Sequence, residues 1–380
     1  MKALDWFEVR EIHTVPSPSL LIYRERVMEN LRRMIVAAGQ LERLRPHLKT
    51  HKMPELVRLQ LSLGIKKFKC ATIAEAEMAA GCGVPDLLIA YQLVGPNVSR
   101  LVQLIQTYPQ TRFSVIVDDA QAIRSLAHAL SAPLREQPIP SGNSNPLEVL
   151  LDLDIGQHRT GIPPGPPAVA LYQLIDSLPA LKPGGLHAYD GHIHDTDVAA
   201  RTAACEKAFQ PVAALRRTLL KSGLPVPRIV AGGTPTFPMH ARRDGVECSP
   251  GTCIFWDAGY ASKLPDLEFL PAALLLTRVV SKPVHNCLCL DLGHKAVASE
   301  MPPPRVQFPN VPDAKALAHN EEHLVIETAR AKEYAVGDCL YAIPWHICPT
   351  VALHAEAWII EKGKVITTWE IPARQRRLTI

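Results

Sequence analysis

The chain has 380 residues, of which 47% are hydrophobic and 21% are charged, and its formal net charge is +4. These values are ordinary for a soluble globular protein and exclude long disordered segments. Because the lysines and arginines are scattered, we expect no nucleic-acid-binding surface. No segment approaches the roughly 18 consecutive apolar residues of a membrane-spanning helix, so we expect no membrane partner.

The nine cysteines are an odd number and form no close CxxC pair. The N-terminal segment lacks the long apolar core of a signal peptide. Together these features predict reduced thiols and a cytoplasmic enzyme.

From Ser19 onward, short apolar runs alternate with longer segments of helical pattern. The runs read SLLIY, LRPHL, KFKCA, DLLIA, FSVIV, LEVLLDLD, GLHAY and RIVAG. This alternation predicts an α/β fold built from parallel βα units. The number of units, and a length near the roughly 250 residues typical of the class, predict a closed (β/α)8 barrel over residues 18–258.

Beyond about Tyr260 the helical alternation stops. The later runs read ALLLTRVVSKP, CLCLDLG, HLVIETA and AWIIEKGKVITTWEI, and turn residues separate them. They predict a second, C-terminal β-rich domain over residues 259–380.

The stretch RPHLKTHK places Lys49 at the end of a strand-like run, beside His47, His51 and Lys52. A lysine that traps a carbonyl needs burial or neighbouring cations that favour its neutral amine. The neighbouring basic residues could supply those cations. A solvated basic loop is the alternative interpretation. Lys52 is the competing lysine, but it lies three residues farther along, at an apparent helix start.

Two glycine turns follow strand-like runs, Gly232–Thr236 (GGTPT) and Ser249–Thr252 (SPGT). A glycine turn that enters a helix points unpaired N–H groups at an anion, so both turns are candidates for phosphate binding. Either turn alone is a common structural element.

His346 and Cys348 form a His-x-Cys pair in the second domain. Alternation along an extended segment would place both side chains on one face. Imidazole and thiolate suit zinc, although water and substrate oxygens at the remaining positions would also admit manganese or cobalt. Two buried structural residues are the alternative. His192 and His194 are candidates for acid–base chemistry.

RPHLKTHK, followed by KCATIAEAE at 69–77, resembles the D-threonine aldolase and D-serine dehydratase family. Members of this family hold pyridoxal 5'-phosphate in an alanine-racemase-like barrel. The resemblance runs from about Pro16 to the C-terminus and recurs at several separated motifs in the same order. It implies a homodimer, and it implies that residues 1–17 pack with the second domain.

The resemblance also assigns roles to individual residues. Lys49 would form the Schiff base, Arg159 would bind the phenolic oxygen of the cofactor, and Tyr189 would lie near its pyridine nitrogen. The remaining cofactor-binding positions would be Thr72, Gly233, Thr234 and Thr252. His346 and Cys348 would bind a divalent ion, zinc or manganese, with His194 as a supporting acid–base group.

The implied function is that of a lyase acting on a small-molecule substrate, a D-3-hydroxy amino acid. The first hypothesis is retro-aldol cleavage to glycine and an aldehyde, which the general run of the chain favours, including KFKCATIAEAE and CPTVALH. The second is D-serine dehydratase-like elimination to a 2-oxo acid and ammonia, which Cys348 and the GGTPT turn favour. A racemase is less favoured, because it needs a second base on the opposite cofactor face and has no use for a metal pair.

Overall fold

A computed structural model describes residues 5–131 and 146–380. The strands are β1 (Ser19–Tyr23), β2 (Lys67–Cys70), β3 (Asp86–Ile89), β4 (Arg112–Val117), β5 (Leu147–Leu153), β6 (Leu181–Ala188), β7 (Ile229–Ala231), β8 (Val246–Cys248), β9 (Ala273–Ser281), β10 (Cys287–Leu290), β11 (Val306–Gln307), β12 (Lys315–His319), β13 (Leu324–Glu327), β14 (Cys339–Pro344), β15 (Glu356–Glu361) and β16 (Lys364–Glu370). The α-helices are α1 (Arg24–Ala38), α2 (Pro54–Ser62), α3 (Ile73–Gly81), α4 (Pro96–Thr107), α5 (Ala120–Ser131), α6 (Pro166–Ser177), α7 (Val198–Lys221), α8 (Phe237–His240), α9 (Ala258–Lys263) and α10 (Ile347–Val351). None of the helices in the described ranges is long and apolar enough to cross a membrane.

The chain divides into two compact units. The barrel unit comprises Ile35–Lys49, the described residues from Leu56 to Gly251, and Gln375–Ile380. The sheet unit comprises 5–34, Thr50–Glu55 and Thr252–Arg374.

The barrel unit contains a seven-stranded parallel sheet in which β2 to β8 follow one another in chain order. Leu44 forms an isolated parallel bridge to Cys248 of β8, and His47 forms another to Lys69 of β2. Segment 44–47 therefore lies between the two edge strands and takes the place of an eighth strand. The predicted α/β barrel is confirmed, and this short segment occupies the position of its first strand. Its interior contains buried side chains from β3, β4, β5 and β7, namely Leu88, Ile116, Leu150 and Val230.

The run SLLIY was expected to be the first barrel strand, and this expectation is wrong. It forms β1, which pairs antiparallel with β9 and parallel with β15 in the sheet unit. All five residues of β1 are buried. A continuous apolar run of this length is compatible with any doubly covered sheet, so its composition does not select the partner strands.

The sheet unit confirms the predicted β-rich domain. Seven of its nine strands follow the order β12-β13-β10-β9-β1-β15-β16. The other two are β14, which pairs with β9, and β11, which pairs with β14. All pairings except that of β1 with β15 are antiparallel. Apolar residues of β1, β9, β14 and β15 form one core with Phe7, Val9 and Val15.

A buried ionic network fixes segment 44–47. The guanidinium of Arg45 is fully buried and donates to Asp86 on β3 at 2.7 Å and to Glu247 on β8 at 2.6 Å. Lys67 on β2 also contacts Glu247, at 2.6 Å. Because removal of one partner would leave a buried charge uncompensated, this network holds the chain that leads to Lys49 in one position.

Candidate active site

Lys49 lies in a single 3-10 turn, Leu48–Thr50, directly after segment 44–47. Its side chain is half-buried, and its Nζ lies 5.6 Å from the centre of the Tyr189 ring. The Nζ of Lys69 lies 5.8 Å from the same ring, and the guanidinium carbon of Arg159 lies 5.1 Å from it. The barrel unit thus brings three of the chain's basic side chains to one tyrosine ring, which attracts cations at its face.

The neighbours of Lys49 in sequence do not all act as expected. Burial, followed by the charge of Lys52, lowers the pKa of His51 to about 3. His51 is therefore neutral at neutral pH and supplies no cation. Lys69 is the group that the sequence interpretation missed. In KFKC, Lys67 and Lys69 occupy one face of a strand, and in a closed barrel that face can point inward.

The ring of Tyr189 rests against two glycines. A Cβ added at Gly191 would overlap the Tyr189 ring, and one added at Gly233 would lie 3.0 Å from it. Glycine at position 191 leaves the space that the ring occupies, and a side chain at position 233 would require the ring to shift by a few tenths of an ångström. The glycine turn predicted for phosphate binding therefore also positions Tyr189.

Arg159 is exposed and follows a turn organised by Asp154. The Asp154 carboxylate accepts hydrogen bonds from the N–H groups of Gly156 and His158, both at 3.0 Å. His158 has φ of 55°, in the left-handed region. These contacts fix the turn, so Arg159 is held near Tyr189 by backbone geometry.

Asp152 and His187 form a buried pair beneath this turn. Nδ1 of His187 donates to Asp152 Oδ1 at 2.6 Å, and the Thr160 hydroxyl donates to Oδ2 at 3.0 Å. Burial lowers the pKa of His187 despite the attraction of Asp152. Its Nε2 is buried and has no hydrogen-bond partner among the residues that the structure describes. A buried polar atom in this state marks a place where a ligand or water completes the site.

The threonines predicted to bind the cofactor are distributed between the two units. Thr234 lies in the barrel unit, where its buried hydroxyl accepts from the N–H of Gly251 at 3.2 Å. Thr252 lies in the sheet unit, with its hydroxyl 3.5 Å from the sulfur of Cys348. Thr72 caps α3, because its hydroxyl accepts from the N–H of Glu75 at 3.1 Å. A structural role is thus visible for each of these three hydroxyls.

Asp190, Cys205 and His240 are buried together near the GGTPT turn, and their side chains are close enough to hold an ion. Asp190 instead accepts from His240 Nε2 and from the Thr236 hydroxyl, both at 2.8 Å. The guanidinium of Arg243 lies 3.4 Å from Nδ1 of His240 and opposes a second cation. We interpret this group as the support of the glycine turn.

His346 and Cys348 lie in the sheet unit. The expected extended segment is wrong in one respect: His346 has extended backbone, but it is the N-cap of α10, and Cys348 lies within that helix. The two side chains nevertheless interact electrostatically, because each shifts the pKa of the other. The hydroxyl of Thr50 lies 3.2 Å from the Cys348 sulfur, beside that of Thr252.

The electrostatics of this pair lower the pKa of the thiol and raise that of the imidazole. Burial would raise the pKa of Cys348, but His346 and the two threonine hydroxyls outweigh it and lower that pKa. Burial would likewise lower the pKa of His346, but Cys348 and Glu300 raise it to about 9. Nδ1 of His346 donates to Glu300 at 2.5 Å. With this pKa the ring is protonated at neutral pH, and a metal ion would replace the proton on Nε2. A thiolate and an imidazole oriented by a carboxylate fit a divalent metal ion.

His192 and His194 are both exposed. Nδ1 of His194 donates to the carbonyl of His192 at 2.8 Å, which leaves Nε2 of His194 as the acceptor. Nε2 of His192 lies close to Gly156, where an added Cβ would come within 2.9 Å of it. Nε2 of His194 is therefore available for proton transfer.

The cationic groups of the barrel unit fit an anionic aromatic ligand. Lys49, Lys69 and Arg159 provide positive charge around Tyr189, and the Tyr189 ring is seated by glycines. The buried Nε2 of His187 provides a further polar atom. This donor set suits the phenolate and phosphate of pyridoxal phosphate.

Comparison with known proteins identifies the family. The model of the alanine racemase N-terminal domain matches residues 22–258, and that of a putative serine dehydratase domain matches residues 272–360. The D-threonine aldolase of an Arthrobacter species is 31% identical over 367 residues, which are 95% of this chain and 93% of that protein.

Solved structures show the same similarity. D-threonine aldolase from Filomicrobium marinum superposes with a TM-score of 0.86 at 27% identity, over 96% of this chain and 97% of that one. D-threo-3-hydroxyaspartate dehydratase from Delftia sp. HT23 shares the fold, with a TM-score of 0.80 at 22% identity over 94% and 98% of the two chains. A variant of a dehydratase of that name has been solved in a metal-free form. The chain therefore belongs to the D-threonine aldolase and D-serine dehydratase family, whose barrel is that of alanine racemase.

Proposed function

We propose that the chain is a lyase dependent on pyridoxal 5'-phosphate and a divalent metal ion, and that it cleaves D-3-hydroxy amino acids to glycine and an aldehyde. The observation that carries this proposal is the position of Lys49, which shares the Tyr189 ring with two further cationic side chains in the barrel unit. The 31% identity to a D-threonine aldolase over nearly the whole chain supports the aldol branch.

Three side chains of the barrel unit have defined roles in this proposal. Lys49 would hold the cofactor through its amine, and Arg159 would bind the phenolic oxygen as a fixed guanidinium. Tyr189 would meet the pyridine nitrogen with a neutral phenol. When bound, pyridoxal phosphate supplies a ring that withdraws electrons from the Cα of the substrate. A phenol protonates that nitrogen less firmly than a carboxylic acid does, so assistance from a metal ion becomes useful.

His346 and Cys348 would hold that ion. Zinc or manganese would act as a Lewis acid on the β-oxygen of the substrate. Glu300 orients the imidazole of His346, and the hydroxyls of Thr50 and Thr252 lie 3.2 and 3.5 Å from the sulfur of Cys348. His194 would exchange a proton with solvent near the reacting groups, since it is exposed and has a free ring nitrogen.

The same residues are compatible with a second function, β-elimination to a 2-oxo acid and ammonia in the manner of D-serine dehydratase. Cys348 carries this alternative, because an aspartate is more frequent at this position in the aldolase branch. The match to a putative serine dehydratase domain also covers residues 272–360, which include this cysteine. In this case Lys49 would remove the α-proton and the ion would assist departure of hydroxide.

Two measurements test the proposal. The first is the visible absorbance of the purified protein loaded with pyridoxal phosphate, compared with Lys49→Ala and with Lys52→Ala as the matched control. We expect the band to disappear in Lys49→Ala alone. If the band persists in Lys49→Ala, the Schiff base lies on another lysine and the site assignment fails.

The second measurement is incubation with D-threonine and analysis of the products. Acetaldehyde and glycine in equal amounts support cleavage, whereas 2-oxobutanoate and ammonia support elimination and reject the aldolase proposal. Retention of full activity in a strong chelator, with exchange of the α-proton only, would point to a racemase.

We further propose a cytoplasmic homodimer that acts on a small-molecule amino acid and has no nucleic-acid or membrane partner. All nine cysteines are free thiols, which suits a reducing compartment. The family resemblance is the support for the dimer. Light scattering of the purified protein tests it, and a mass near the 41.8 kDa of one chain would reject it.

A further inference from the structure

One buried carboxylate joins the Tyr189 segment to the glycine turn at 232–236. Asp190 follows Tyr189 directly in the chain and is 2% exposed. Its Oδ1 accepts from the Thr236 hydroxyl and its Oδ2 accepts from Nε2 of His240, both at 2.8 Å. Thr236 is the N-cap of α8 and His240 is its last residue, and both are buried. Asp190 therefore binds both ends of the short helix that continues the turn.

The direction of these hydrogen bonds follows from Arg243. A guanidinium only donates, so Nδ1 of His240, which lies 3.4 Å from Nη1 of Arg243, is the acceptor. The proton of the His240 ring is then on Nε2, which donates to Asp190. Both oxygens of Asp190 are thus engaged by donors of the barrel unit.

Two rings pack against the glycines of the turn. A Cβ added at Gly232 would overlap the His240 ring, and one added at Gly233 would lie 3.0 Å from the Tyr189 ring. Gly232 also has φ of 76°, in the left-handed region that favours glycine. The turn therefore lies between the ring that donates to Asp190 and the ring of the residue before Asp190. A displacement of the turn must move at least one of these rings, because packed groups leave no free space.

The Thr236 hydroxyl also contacts the first half of the turn. It accepts from the N–H of Gly233 at 3.4 Å while it donates to Asp190. A hydrogen bond of this length is weak, so an anion at the turn can compete for the Gly233 N–H. The position of the hydroxyl, and with it the contact to Asp190, then depends on whether an anion is bound.

We propose that Asp190 and Thr236 couple two parts of the cofactor site, the phosphate subsite at the glycine turn and the ring subsite at Tyr189. An anion that binds the Gly233 N–H shifts the turn, and the Thr236 hydroxyl transmits the shift to Asp190. The backbone carries it from Asp190 to the adjacent Tyr189. Both are positioning residues, because they act through the turn and through Tyr189. The inference rests on the proposed cofactor.

Such a coupling is reciprocal. If phosphate at the turn strengthens binding of the ring by some factor, the ring strengthens binding of phosphate by the same factor. The cofactor joins both groups in one molecule, so the coupling makes the site selective for the phosphorylated form.

The test divides the cofactor into two ligands. The first is 5'-deoxypyridoxal, which keeps the ring and the aldehyde but lacks the 5'-oxygen and the phosphate, and the second is inorganic phosphate. The visible band that 5'-deoxypyridoxal forms with the cofactor-free protein measures its affinity. Phosphate should raise this affinity about fivefold or more in the wild-type chain. The effect should fall below about twofold in Asp190→Asn and in Thr236→Val, whereas Thr236→Ser keeps the hydroxyl and should retain it.

Asp176→Asn is the matched control, since Asp176 is exposed on α6 and should show the wild-type coupling. The coupling is a ratio of two affinities of the same protein, so partial misfolding of one variant does not change it. Equal coupling in the wild-type chain, Asp190→Asn and Thr236→Val would overturn the inference, and so would its absence from a wild-type chain that binds pyridoxal phosphate. A wild-type chain that forms no band with pyridoxal phosphate would reject the proposed function as well.

Discussion

Glu300 accepts a hydrogen bond from Nδ1 of His346 at 2.5 Å, and both side chains are more than two-fifths exposed. A carboxylate only accepts, so Nδ1 keeps its proton, and Nε2 is the nitrogen that would lose its proton when the ring binds a metal ion. This contact selects the ring orientation in which His346 can bind an ion.

We predict that Glu300→Gln weakens binding of zinc and manganese about 10- to 100-fold, because an amide can offer the wrong group to Nδ1 and no longer selects the tautomer. Calorimetric titration of the metal-free protein measures the affinity. Glu321→Gln is a control, since Glu321 pairs with Lys295 at an exposed position. Equal metal affinities in the wild-type chain, Glu300→Gln and Glu321→Gln would contradict the role of Glu300 in orienting His346.

Cys348→Asp should change the metal preference. A thiolate favours zinc, whereas a carboxylate oxygen favours harder ions such as manganese. We expect the ratio of zinc affinity to manganese affinity to fall by at least about tenfold, measured from the metal-induced rise in melting temperature. The wild-type chain is the reference. Cys339→Asp is not a suitable control substitution, because Cys339 lies on strand β14. An unchanged ratio would remove Cys348 from the ligand set.

Asp86→Asn should destabilise the barrel unit by ~3–5 kcal/mol, because it leaves Arg45 with one carboxylate fewer in a buried site. Although burial opposes it, the attraction of Arg45 lowers the pKa of Asp86 to about 2, whereas an unfolded aspartate has a pKa of about 3.9. The stabilisation is therefore complete above about pH 4 and is lost as the pH falls towards 2. Urea denaturation from pH 7 to pH 3 measures both effects. Glu29→Gln, which removes a surface ion pair with Arg33, should change little.

Gly191→Ala should displace the ring of Tyr189, because the added Cβ would overlap it. Overpacking of this kind costs about 1–3 kcal/mol, so the affinity for pyridoxal phosphate should fall about tenfold. Absorbance titration measures it. Gly81→Ala is the matched control, since its Cβ would meet only an ordinary contact of 3.8 Å with the Tyr108 hydroxyl. A cofactor affinity equal to that of Gly81→Ala would show that the ring position is unimportant.

Lys69→Met should change the pH dependence of stability even without a cofactor. The folded chain loses the Lys69 proton near pH 7, whereas an unfolded lysine keeps it to about pH 10.4. The unfolded state thus holds more protons between these values, so wild-type stability rises with pH there. The stability advantage of Lys69→Met should shrink by about 3 kcal/mol from pH 6 to pH 9. Urea midpoints measure it, and parallel curves for the two proteins would contradict the pKa of Lys69.

The sequence predicted the barrel because βα alternation from β2 to β8 is a local, repeated signal. It did not predict the role of β1, whose partners β9 and β15 lie more than 250 residues away in the chain. It also placed a regular strand at LRPHL, where only single bridges form at Leu44 and His47. The short bridges are explained by Arg45, whose buried side chain and proline neighbour replace regular pairing with an ionic network.

Some residues of the candidate site were predicted and others were missed, for a similar reason. Lys49, Arg159 and Tyr189 each follow a strand, and barrel geometry alone brings such positions to one end. Lys69 lies within its strand, and alternation in a strand does not distinguish a solvent face from a barrel interior. Glu300 reaches His346 across 46 residues of chain, a distance at which no local pattern carries information.

The chain passes from one unit to the other after Met34, Lys49, Glu55, Gly251 and Arg374. No single cut yields two self-contained pieces, and one of these crossings is the peptide bond between Lys49 and Thr50. A chimera that takes the metal-bearing unit from a relative would therefore need compatible junctions at every crossing, including one inside the RPHLKTHK motif. Recombination between such enzymes should succeed only where the exchanged segments respect all of these junctions.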